Sequence, residues 1–149
     1  MNIIELVKQV LTEFPKISKL NRDMNVDFTE DTPGCCGLYP TGDQLLKEDI
    51  LGNQERQHNF VLYAVFQSVN DYERLTNSTF LLDLAYWLER AAKDQKIEVE
   101  IDGQIVAGKL TKLSSANGML YEYQDGTIYG PVKYQLQIYA QYHLESEVL

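Results

Sequence analysis

The sequence predicts an α+β fold, a central and mostly antiparallel sheet with two main helices packed on it. Three observations carry that expectation. Apolar residues recur at the helical period in two stretches, 2–14 and 70–94. Between and after them lie runs rich in Val, Ile, Tyr and Phe, residues that suit a pleated, half-buried surface. Tight-turn dipeptides, Asp102-Gly103, Asn117-Gly118 and Asp125-Gly126, punctuate the second half and imply an antiparallel meander. The 149 residues form one domain, residues 1–149, with no repeat, low-complexity segment or linker to divide it.

Residues 2–14 place Ile3, Val7, Val10 and Phe14 on one stripe with Ile4 and Leu11 beside it, and Pro15 ends the pattern. A polar stretch follows, with a short strand expected at 25–28 and a turn at Thr32-Pro33-Gly34. A second short strand is expected at 35–39, closed by Pro40-Thr41-Gly42. Residues 58–68 are apolar on both faces, the pattern of a central strand covered on both sides. Asn70-Asp71 supplies an N-cap for a helix to about residue 94, with Leu81, Leu84, Ala85, Leu88 and Ala92 inward and Phe80 and Trp87 toward the flanks. Strands are then expected at 97–101, 104–113 and 119–123.

The last strand is the most informative. Val132, Tyr134, Leu136, Ile138, Ala140, Tyr142 and Leu144 alternate with Lys133, Gln135, Gln137, Tyr139, Gln141, His143 and Glu145. That alternation spans roughly 40–45 Å, about twice a typical strand or more. Such a strand either bends within its own sheet or reaches a neighbouring subunit. Its glutamine-rich face suits water, a lumen or a wet interface.

The formal net charge is -9, and Lys and Arg form no basic block, which disfavours sequence-specific nucleic-acid binding. The first residues are amphipathic, unlike a signal peptide, and no apolar run approaches the roughly 20 residues of a membrane span. Cys35 and Cys36 are adjacent and without a second pair, so two buried thiols in a reducing compartment are expected. Ten tyrosines fit either sheet faces or subunit contacts.

Catalysis needs converging titratable groups, and none is legible here. His58 and His143 are distant in sequence and read as exposed strand residues. The two cysteines lack zinc-site spacing, and there is no nucleophile elbow or phosphate-binding glycine loop. Glu98, Glu100 and Asp102 fall on one strand face, which reads as solvated surface before cation site. The expectation is a protein with no cofactor, no metal and no enzymatic role.

Three runs carry a family resemblance: Leu51-Gly52-Asn53-Gln54-Glu55-Arg56-Gln57-His58-Asn59-Phe60-Val61-Leu62-Tyr63, then Glu73-Arg74-Leu75-Thr76-Asn77-Ser78-Thr79-Phe80-Leu81 with Ala85-Tyr86-Trp87-Leu88-Glu89, and last Lys133-Tyr134-Gln135-Leu136-Gln137-Ile138-Tyr139-Ala140-Gln141-Tyr142. In their order and texture these resemble the small minor capsid, tail-terminator and head–tail joining proteins of long-tailed bacteriophages and prophages of Gram-positive bacteria. The resemblance implies a tail-terminator-like fold with helices on one side of the sheet. It also implies self-assembly into a ring, commonly a hexamer, that joins tail tube to head, in the virion and in the host cytoplasm during assembly. Tail-tube and head-connector proteins would be its partners, and DNA would pass through an acidic lumen that repels phosphate. The interface residues expected are Gln135, Gln137, Tyr139, Gln141 and His143 of the last strand, with Arg56 and His58 of the strand leading into Phe60. The alternative is a small bacterial adaptor domain that uses the groove between sheet and helices.

Overall fold

A computed structural model of the chain describes residues 1–16, 24–27, 29, 33–68, 70–91, 95–123 and 130–146, with only the backbone of 68, 71 and 72. Helix α1 is Ile3–Thr12, opened by a capping box in which Asn2 Oδ1 accepts from Glu5 N at 2.9 Å and Glu5 Oε1 accepts from Asn2 N at 3.4 Å. Its buried side is the expected stripe, broadened by Leu6. Helix α2 is Asp71–Arg90, capped by Asn70 Oδ1 on Glu73 N at 2.9 Å. Phe80 is fully buried on α2, not at its flank, and Ala92 lies outside the described residues.

Among the described residues six strands form one mixed sheet: β1 (Met24–Val26), β2 (Cys36–Glu48), β3 (Gln54–Ser68), β4 (Lys96–Ile101), β5 (Gln104–Tyr123) and β6 (Gly130–Leu144). Their spatial order is β1-β2-β3-β6-β5-β4. The β1–β2 pair is parallel and the other four pairs of these strands are antiparallel. The last strand therefore lies in the middle. All of β6, from Gly130 to Leu144, pairs with β3 from Ser68 back to Gln54, while β5 flanks its other side. Of the two fates open to the long strand, burial within its own sheet is the one observed.

Two expected turns are bulges instead. Pro40-Thr41-Gly42 does not close β2; the register merely shifts there and again between Leu45 and Lys47. Asn117-Gly118 does not end a strand, because β6 pairs with β5 on both sides of it, Ala116 with Gln137 and Met119 with Gln135. Asp102-Gly103, by contrast, is a two-residue hairpin turn with φ of 51° and 79°. Phe28, Thr32 and Asp125-Gly126, from the expected first strand and two expected turns, lie outside the described residues.

Both helices cover the same sheet face. Phe14, just past α1, meets Phe80 and Trp87 of α2 with ring centroids 5.5 Å away in each case. Phe80 in turn meets Phe66 of β3 at 5.4 Å, and Phe66 meets Tyr134 of β6 at 5.7 Å. Each fully buried Leu or Phe in this layer contributes about 1.5–3 kcal/mol of hydrophobic stabilisation. Cys35 and Cys36 are buried and form no disulfide with each other, as expected. Among the described residues no helix is long and apolar enough to cross a membrane.

Candidate functional site

The alternation of β6 sorts the sheet into an inner face under the helices and an outer face that neither α1 nor α2 covers. Register places Gln135, Gln137, Tyr139, Gln141 and His143 on the outer face opposite Tyr63, Val61, Asn59, Gln57 and Glu55 of β3. All five are half-buried, since each lies between neighbours in the sheet. Their polar ends bond to one another. Gln137 Oε1 accepts from the Tyr139 hydroxyl and from Asn117 Nδ2, each at 2.8 Å. Gln141 Nε2 donates to Gln57 Oε1 at 3.2 Å, and Gln57 Nε2 to Asn59 Oδ1 at 2.9 Å. The result is an amide layer held in place before any partner arrives.

Farther along the same face, three tyrosines from three strands form a row. Tyr63 lies 5.2 Å from Tyr39 and 5.0 Å from Tyr121 by ring centroid, and Lys133 Nζ sits 5.6 Å over the Tyr63 ring. Burial, then the neighbouring Tyr121, pushes the Tyr63 phenol above its usual pKa. This row explains why β3 is apolar on both faces. Val61 and Tyr63 are only half-buried, which corrects the expectation of full cover there, while Val65 farther along the same face is fully buried, as expected.

Arg56 and His58 do not join this face. They share parity with Phe60 and so point to the inner side. His58 is buried and stacks on Phe60 at 4.5 Å, against the expectation of an exposed strand residue. Arg56 donates through Nε to Asp43 Oδ1 at 2.6 Å, and the Tyr142 hydroxyl donates to the other oxygen of Asp43. Burial, reinforced by Asp43, holds the Tyr142 phenol well above its usual pKa.

That trio walls a cleft of about 420 Å³ with Gln54, Asn2, Ile3, Ile4, Val99, Ile101 and Leu144, between the sheet and the start of α1. Its polar groups already satisfy one another, Arg56 Nη1 reaching Gln54 Oε1 at 2.9 Å as well. The two imidazoles are on opposite sheet faces, His143 Nδ1 being 2.6 Å from Glu55 Oε1 on the outer one. No group of three or more metal-binding side chains gathers among the described residues.

The outer face is not where the negative charge resides. By register it carries Lys47, Lys96, Lys109, Lys112 and Lys133 against Glu55, Glu98, Glu100 and Glu122, and Glu55 and Glu122 face His143 and Lys133. A lumen made of this face is therefore not the acidic one anticipated from the net charge of -9.

Among the described residues, two strand margins are open. β1 covers only Cys36 to Leu38 of β2, and β4 covers only Gln104 to Lys109 of β5. Among the described residues, no backbone hydrogen bond reaches the free side of residues 39–48 or 111–123. Sequence patterning missed these margins, the Tyr39–Tyr63–Tyr121 row and the Gln57–Asn59 layer. The last was signalled by polar residues at odd positions between 55 and 59. No family model matches the chain, and no curated protein matches it either.

Proposed function

We propose that the chain is a structural protein of a long-tailed phage or prophage, a tail terminator or head–tail connector. Copies assemble into a ring with the outer sheet face turned to the channel. The observation that carries this reading is a sheet face of Gln, Asn and Tyr that no second layer covers among the described residues, although a second layer of apolar side chains is the usual fate of such a sheet. Amides that are already bonded to one another present DNA with neither a phosphate-binding cation cluster nor a repelling acid field, so a duplex can move past without being held. The order and texture of the three sequence runs described above point to the same class of protein.

The adaptor reading would use the cleft beside Arg56. Because Asp43, Arg56 and Tyr142 bond to one another, the groove offers a ligand little beyond apolar contact.

Native mass spectrometry and negative-stain microscopy, with the protein concentrated and then mixed with tail tubes, test the proposal. Rings free in solution or seated on tube ends are expected. A chain that stays monomeric at high concentration and also ignores tail tubes rules the reading out.

A further inference from the structure

We infer that copies join head to tail through their sheets, the free margin of β2 in one copy pairing antiparallel with the free margin of β5 in the next. This rests on the ring reading and supplies its joint.

Strand direction makes the two margins complementary. β2 is antiparallel to β3, β3 to β6, and β6 to β5, so β5 runs opposite to β2. A neighbour turned about an axis along the strands therefore brings its β5 margin against β2 in antiparallel orientation. Such a rotation keeps both sets of helices on one side and both outer faces on the other. One strand ladder then crosses the boundary without a break in either layer.

Both margins also carry apolar side chains that the described residues leave about half exposed. Leu45 and Leu46 on β2 are each 45% exposed, while Met119 and Tyr121 on β5 are 50% and 51% exposed. Charge is present along both margins, as Asp43, Lys47 and Glu48 on β2 and Lys112 and Glu122 on β5, but it flanks Leu45, Leu46, Met119 and Tyr121 and does not replace them. Pairing would bury apolar surface together with the unused backbone groups.

Bulges limit where pairing can occur. On β2 the register is regular from Gly42 to Leu45, between two shifts, and on β5 from Lys112 to Ala116, again between two shifts. Runs of similar length bounded by kinks favour one register over indefinite sliding. A two-fold contact of β2 with β2 would also be antiparallel, but it leaves both β5 margins open. The heterologous contact uses both margins through a single kind of joint and can close into a ring.

A complementation experiment decides the matter. One variant carries Leu45→Lys with Leu46→Lys, the other Ala116→Lys with Met119→Lys; all four positions are exposed. Each variant alone is expected to stay monomeric, while an equimolar mixture gives a dimer of one copy of each, joined by the two intact margins. Rings from either variant alone would overturn the edge joint and leave the ring reading standing. Homodimers of either variant would overturn the head-to-tail arrangement. Amide exchange on the wild-type chain provides a check free of substitutions. Residues 39–48 and 111–123 should both slow at least tenfold on going from dilute monomer to ring. Rates unchanged in both segments of an assembled ring would sink the inference, and a wild-type chain that neither assembles nor binds tail tubes removes both this joint and the function it serves.

Discussion

Gly108 has no room for a β-carbon. One added there would stand 2.4 Å from the His143 carbonyl oxygen and 2.7 Å from Leu144 Cδ2. The oxygen belongs to the backbone of the central strand and cannot swing aside. Gly108→Ala should therefore cost about 1–3 kcal/mol by overpacking, read as a lower urea midpoint at unchanged slope. Tyr142 gives a second prediction at this scale. Its folded pKa is raised by burial and then by Asp43, and burial likewise raises those of Tyr134 and Tyr63. A raised value means the native state holds the proton more tightly than the unfolded chain. That stabilisation is complete below about pH 10 and is lost as pH climbs through the folded values. Melting temperature should fall from pH 9 to 11. Tyr142→Phe should start about 1 kcal/mol less stable, for loss of the bond to Asp43, and converge on the wild type as pH rises. Parallel pH profiles for the two proteins would contradict this. The parity that separates Arg56 and His58 from the outer face was legible, since both lie an even number of residues from Phe60. What concealed it was their polarity, which suggests solvent until Asp43 and the Phe60 ring are seen to receive them.

Elements were legible where pattern is local. The α1 stripe, the α2 cap and the alternation of β6 depend only on a residue's own neighbours in sequence, and all three recur in the fold. The failures came where a local signal has two tertiary meanings. Asp102 and Asn117 both adopt positive φ, 51° and 57°, ahead of a glycine. One makes a hairpin and the other a bulge, and the difference is made by β6, which lies alongside residues 108–123 and keeps β5 running straight past Asn117. No residue near 117 encodes the presence of a strand that begins at Gly130. The bulge still requires left-handed backbone, so Asn117→Ala should cost about 1–2 kcal/mol, whereas Asn117→Gly should lose less because glycine adopts that conformation without strain. Equal losses in thermal unfolding would mean that the Asn117–Gln137 hydrogen bond, not the backbone, is what matters there.

At the scale of the whole molecule, the strand order could not be read from the sequence, and the open margins follow from it. A last strand inserted between β3 and β5 leaves β2 and β5 near the two borders, each only partly covered by a shorter strand. The same insertion puts the amide layer at the centre of the outer face, with the helices behind it. If that face lines a channel, equivalent points on it lie nearer the ring axis than equivalent points on the solvent side of α2. Spin labels at Gln137→Cys and at Tyr86→Cys measure this, because Gln137 is central on the outer face and Tyr86 is exposed on α2. Cys35 and Cys36 are each 1% exposed and will not compete for the label in the folded protein. Distances between labels on adjacent copies should be shorter for position 137 than for 86, whatever the number of subunits, since both sets are chords of the same rotation. The reverse order would place the helices on the channel and the amide layer on the rim, and the Gln135, Gln137 and Gln141 side chains would then have to be explained by contact with something other than passing DNA.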